Sequence, residues 1–244
     1  MKLMKHSGKI ALLVAVIGVC GAALILFGAR LGLWQPITGF GLYRSYFNWL
    51  GMIVAAVGVL AFVIHILRKE RGGMLASGLA AIVGLVLLAP LAASTLNPTP
   101  RAAPIHDIST DTTNPPLFEV LNDTREGASN TLVYGGPELA EAQANSYPDI
   151  APHETPLSVE AAYERALNVA NEMGWEIIAT DSDRQRFEAT ARTSVFYFAD
   201  DVVVRVSPQG EGSRVDMRSV SRVGRSDQGV NAARIREFQD LFGA

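Results

Sequence analysis

Five arginines crowd the C-terminal end of this chain: Arg218, Arg222, Arg225, Arg234 and Arg236. A guanidinium offers a planar fork of donors that fits a carboxylate or phosphate at two points at once. Ser226 and Asp227 stand where a last helix is expected to begin, and the free amides of a helix start attract anions. With Asn231 on that helix, and with His106 and Asp107 carried in by the segment 105–118, these residues make up a candidate binding surface. Its chemistry suits a small anionic ligand or an envelope-protein partner. The competing expectation is internal pairing, because Asp200, Asp201, Asp216 and Asp227 can neutralise the same arginines and place Asp227 as a helix cap.

Two catalytic chemistries are weaker. His106 with Asp107 and Asp111 has the residue types of an acid–base or metal site. A metal needs three or four converging ligands, and the other histidine of this half, His153, lies in a proline-rich turn, so local turn capping is expected and neither metal nor cofactor is called for. Ser219 or Ser226 with His106 and Asp227 would complete a hydrolytic triad on paper. No nucleophile-elbow sequence surrounds either serine. No catalytic residue is therefore assigned, and an envelope hydrolase stands as the alternative to a binding module.

The elements that must position these residues follow from periodicity. Residues 157–173 carry Val159, Ala162, Tyr163, Ala166, Val169, Ala170 and Met173 on one helical stripe, begun by Thr155-Pro156 or by Ser158 and stopped at Gly174. Four strands are expected at 175–181, 185–198, 201–207 and 213–223, separated by turns at 181–184, 199–201 and 208–212. Val202, Val204 and Val206 alternate with Val203 and Arg205, while Val215 and Met217 alternate with Arg214, Asp216 and Arg218. One face is apolar and the other charged, which predicts an antiparallel meander with one wet side. A helix over 228–242 completes an α+β two-layer domain whose four-stranded meander is flanked by two helices. A short helix near 137–144 is also expected.

The first 96 residues differ in kind. Apolar stretches at 10–29, 49–67 and 74–94 lack Asp and Glu, and each matches the hydrocarbon thickness as a helix. Three transmembrane helices are expected, with small residues at Gly18, Gly21, Ala22, Gly51, Ala55, Ala80 and Gly84 for close packing. Pro90 is placed to kink or end the third. Trp34, Phe40, Tyr43, Tyr46, Phe47 and Trp49 read as an aromatic belt in the first loop. His65 reads as an interfacial histidine. Cys20 is the lone cysteine, so no internal disulfide forms. A proline-rich linker at 97–104 leads to a soluble domain over 105–244.

Charge sets the expected topology. Up to Pro100 the only acid is Glu70, against eight Lys and Arg; from Arg101 onward there are 23 acids, 13 Arg and no Lys. Lys2, Lys5, Lys9 and the basic loop 68–73 place the N-terminus in the cytoplasm, so the domain is expected across the bilayer, in a bacterial periplasm. An acidic, exported domain excludes nucleic acid as a partner. A structural subunit whose spans dock into a larger membrane complex is the third class of reading.

Separated motifs agree in order with a known family. They are Ile105-His-Asp-Ile-Ser-Thr-Asp with Asn114-Pro-Pro and Phe118, then Tyr147-Pro-Asp-Ile150, then Gly174-Trp-Glu-Ile-Ile with Asp200-Asp-Val-Val-Val-Arg205. Arg218-Ser, Ser221-Arg-Val-Gly224 and Asn231-Ala close the series. Residues 104–242 thereby resemble the domain-of-unknown-function 1499 family of bacterial and plastid proteins. The resemblance implies a soluble domain of that family behind a membrane segment and carries no substrate or activity with it.

Overall fold

The computed structural model describes residues 6–98 and 102–244; Lys2, Lys5 and the middle of the proline-rich linker lie outside them. Contacts divide the chain into two compact units, 1–100 with 194–197, and 101–193 with 198–244.

In the first unit, α1 (Ser7–Phe27) is followed by α2 (Pro36–Leu42), a π-turn (Tyr43–Phe47) and α3 (Asn48–Arg68). The expected aromatic loop is thus mostly helix: Pro36 starts the first turn without losing a needed N–H, and helix runs continuously to Arg68. Two helices, Ser7–Phe27 and Pro36–Arg68, are long and apolar enough to cross a membrane. The third expected span is corrected. It is a bent pair, α4 (Arg71–Leu87) and α5 (Ala89–Leu96), broken by 44° and counting as one span only if the pair is taken together. Pro90 in the first turn of α5 lacks the N–H that would have continued the ladder.

Packing in this unit is inside out relative to a soluble core. Ala11, Ala15, Gly18 and Ala22 line the inward stripe of α1, while Leu13 and Ile17 face outward. Small residues on facing stripes let helix backbones approach closely. A Cβ on Gly58 or Gly84 would strike the backbone of Ala81 or Ala55. His65, expected at the interface, is 2 % exposed.

The second unit is α+β. Its strands are β1 (Asp107–Ser109), β2 (His153–Thr155), β3 (Glu176–Asp181), β4 (Arg186–Arg192), β5 (Ala199–Gln209) and β6 (Gly212–Ser221). Its helices are α6 (Gly136–Ser146), α7 (Val159–Glu172) and α8 (Val230–Gly243). The sheet is antiparallel, in the order β1-β6-β5-β4-β3, and β2 also pairs with β6. β3 to β6 form the meander; β1 and β2 extend it, each only three residues long and so without a readable period.

Ser158 Oγ accepts the Ala161 N–H at the start of α7, and Gly174 takes φ 72° just past its end. Ala162, Ala166 and Val169 of α7, with Ile235 and Phe238 of α8, bury one sheet face through Phe187, Val202, Val204, Val215 and Met217. Trp175 stacks on Phe238 with ring centroids 5.5 Å apart.

Two expectations about the meander change. The turn placed at 199–201 lies instead at 193–198, and Asp200 and Asp201 are buried strand residues. The side of the sheet expected to be wet is covered by residues 110–135, which contain neither helix nor strand. Charges on β4, β5 and β6 hold this cover in place.

Candidate binding surface

The cover is fixed by charged groups that rise from the sheet and seize its backbone. Glu188, in the middle of β4, accepts the amide N–H groups of Glu119, Val120 and Leu121, at 2.6 to 3.2 Å. Arg186 donates to Leu117 O at 2.5 Å and pairs with both Glu119 and Glu188. Arg205 donates to Asn114 O, and Arg222 to Glu126 O, each at 3.0 Å. Irregular backbone has no ladder of its own, so its polar groups need partners from elsewhere, and charge-assisted bonds supply strong ones.

Arg218 is the centre of this arrangement. It is 0 % exposed, and its fork meets the Asp107 carboxylate at 2.9 and 2.7 Å. The same guanidinium donates to Leu132 O at 2.9 Å and lies between the rings of Phe118 and Tyr134, 5.4 and 5.2 Å from their centroids. Burial, and then the nearby Asp107 charge, push the Tyr134 hydroxyl above its ordinary value. At the next position on this face, Asp201 accepts from Arg222, Arg125 and Thr190. On the other side of Arg218 along β6, Arg205 and Arg214 share Asp216, and Arg214 also reaches Asp111 at 2.6 Å. Burial opposes ionisation of Asp111, but the N–H groups of Asn114 and Thr113 and the charges of Arg214 and Arg205 outweigh it and hold the carboxyl below the usual range.

A second polar set occupies the helix-covered face. Arg234 of α8 pairs with Asp200 at 2.5 Å and donates to Ser219 Oγ and Asn231 Oδ1. Asn231 is fully buried; its amide donates to His106 O and Ser221 Oγ, while its oxygen accepts from Ser219. Asp227 accepts the N–H groups of Gly229 and Asn231, which caps α8 from just before its start. Burial raises the Asp227 carboxyl above its ordinary value, against the pull of those two amides.

The residues singled out by sequence are therefore divided by the sheet. Asp107, Arg218 and Arg222 lie under the cover, whereas Asp227, Asn231 and Arg234 lie beneath α8. Ser226 is half-buried and donates to Ala103 O. Arg236 pairs with Asp149 at 2.5 Å, and of the five arginines Arg225 alone is exposed with no side-chain partner among the described residues. The guanidinium forks that could have gripped an external anion are filled by the chain's own carboxylates. Of the expected pairings, Asp201 with Arg222 and Asp200 with Arg234 are present. The His106 imidazole makes no hydrogen bond among the described residues, since Asp107 is taken by Arg218 and the serines bond elsewhere. Among the described residues no group of three or more His, Cys, Asp or Glu could hold a metal.

Sequence reasoning passed over the holding roles of Glu188, Arg125 and Arg186. Their signal is the combination of thirteen arginines with no lysine from Arg101 onward and alternating charge on neighbouring strands. Bidentate, desolvated pairing favours the guanidinium fork over the strongly hydrated ammonium.

Outward, the cover presents apolar side chains: Leu117 is 63 % exposed, Val120 56 % and Val133 73 %. Beside Val120 a shallow, solvent-open hollow runs to the edge strand β3, lined by Glu119, Ala179, Thr180 and Arg184. No curated protein matches the chain. A family model described as a protein of unknown function (DUF1499) matches residues 107–242, more than half of the chain. All six strands and the whole pinned cover fall within that stretch, and the chain belongs to the domain-of-unknown-function 1499 family.

Proposed function

We propose that this protein is a bacterial inner-membrane protein whose N-terminus is cytoplasmic and whose residues 105–244 form a periplasmic module that captures an envelope protein. The topology is supported by the cationic short loops of the first unit and the strongly acidic second part. The observation that carries the capture reading is the pinned cover: a long irregular segment, held rigid by Glu188, Arg186 and Arg218, that turns Leu117 and Val120 to solvent beside a hollow. Burying apolar side chains on loops fixed by a scaffold is how binding surfaces are commonly built. A small-anion reading is less favoured, because Arg225 alone remains for it.

The test is a photoreactive residue at Val120 in the full chain in native membranes, with the same probe at exposed Glu164 of α7 as control. A protein adduct specific to Val120, lost on Leu117→Ser, supports the reading; identical adducts at both positions would remove it. Accessibility of a tag after Ala244 in intact cells decides the topology separately.

A further inference from the structure

The segment Ser194–Tyr197 belongs with the membrane helices rather than with the rest of its hairpin. Three observations describe how it is held there. The Phe196 N–H donates to Leu26 O at 2.9 Å, in the last turn of α1, where helix carbonyls have no partner in their own helix. The Phe196 ring meets Phe40 and Tyr43 edge-on, each at 5.5 Å between centroids. The Arg30 guanidinium lies over the Tyr197 ring at 5.4 Å.

Backbone geometry points the same way. Phe196 and Tyr197 both take φ 61°, the left-handed region that Asn-Gly supplies easily in tight hairpins and bulky residues avoid. Strained residues of this kind persist where surrounding contacts over-determine them. Aromatic rings with a neighbouring arginine are the side chains that settle at the boundary of lipid and water.

We propose that Val195, Phe196 and Tyr197 form an interfacial anchor, seated in the outer lipid–water boundary as a continuation of the belt formed by Phe40 and Tyr43. A lipid surface is its partner, and the strained turn exists to present two rings where a relaxed Asn-Gly turn would present none. The inference rests on the membrane reading of the helices and is independent of protein capture by the cover.

The test uses the full chain with Cys20→Ser and Val195→Cys, labelled with an environment-sensitive fluorophore and reconstituted in phosphatidylcholine–phosphatidylglycerol vesicles. Gln209, at the opposite end of β5, is labelled as control. Lipids spin-labelled near the headgroup are expected to quench the label at 195 several-fold more than aqueous iodide does, with the reverse at 209. Adding Phe196→Asn with Tyr197→Gly keeps the turn and removes the rings, and should shift the label at 195 to iodide access. Preferential iodide quenching at 195 in the first chain, or unchanged lipid quenching in the second, overturns the proposal. Preferential iodide quenching at 195 in the first chain, with Val120 adducts intact, would strike the anchor alone.

Discussion

Glu188 Oε1 accepts the amide N–H of Glu119 at 2.6 Å, and the second carboxylate oxygen takes the N–H of Leu121 at 2.7 Å, so one side chain in mid-strand holds three consecutive amides of a segment 67 to 69 residues away. Only an ionised carboxylate has acceptors in both directions. In Glu188→Gln the amide nitrogen faces donors that it cannot satisfy. A charge-assisted hydrogen bond contributes about 1.5–3 kcal/mol, and a loss of that order is expected. Hydrogen exchange should quicken at 119–121 while β5 stays protected; unchanged protection at 119–121 would refute the clamp.

Arg218 and Asp107 form a pair with neither partner accessible, so deleting one leaves the other buried and charged. Arg218→Met should cost about 3–5 kcal/mol, and the double change with Asp107→Asn should recover much of it. Arg218→Lys is not expected to rescue, because an ammonium cannot fork onto Asp107 while also lying over the rings of Phe118 and Tyr134. Chemical denaturation of the four chains, followed by exchange protection of β5, gives the comparison. Equal stability of single and double variants would mean that the pair is not coupled.

How much of this was written legibly in the chain depends on how far apart the interacting residues are. The α7 stripe and its Ser158 cap are local, and Val202, Val204 and Val206 announce a half-buried strand by period alone. Asp200 and Asp201 look like turn residues because aspartate favours turns. They are strand residues because Arg234, Arg222 and Arg125 neutralise them from 21 to 76 positions away. Phe196 and Tyr197 carry high strand propensity and yet form the turn, held by Leu26 O and Phe40. The cover 110–135 shows no period because its order comes from side chains of other elements. A charged sheet face reads as solvated when the irregular segment covering it has no pattern of its own.

Asp227 gives a pH dependence with a definite sign. Its carboxyl is raised by burial above its ordinary value of 3.8, so the folded state binds the proton more tightly than the unfolded chain does. The stabilisation from its neutral form is complete below that ordinary value and is lost as pH rises through the raised folded value. Asp227→Asn cannot ionise, so its stability relative to the parent should improve from acid toward neutral pH. Denaturation midpoints of the two chains across that window test this. A difference that stays flat, or favours the parent as pH rises, would contradict the assignment.

In the N-terminal helical unit, His65 is enclosed where α1, α3 and the start of α4 cross. Its Nε2 lies 3.2 Å from the Gly8 N–H and 3.0 Å from Ser7 Oγ, and its Nδ1 lies 3.2 Å from Glu70 Oε2. A backbone N–H can only donate, so Nε2 accepts and Nδ1 carries the proton toward Glu70. Gly73 closes the site, since a Cβ there would fall inside the imidazole ring's contact distance, whereas a Cβ on neighbouring Gly72 meets nothing. Gly73→Ala should therefore cost about 1–3 kcal/mol through overpacking. Gly72→Ala, on the open face of the same helix, should be neutral or stabilise by up to about 1 kcal/mol through helix propensity. Titrating the full chain from mild detergent into dodecyl sulfate and reading helicity compares the two. If both substitutions shift the midpoint alike, the histidine is not confined by that crossing, and the tight approach of α1 to α4 must rest on the alanine stripe alone.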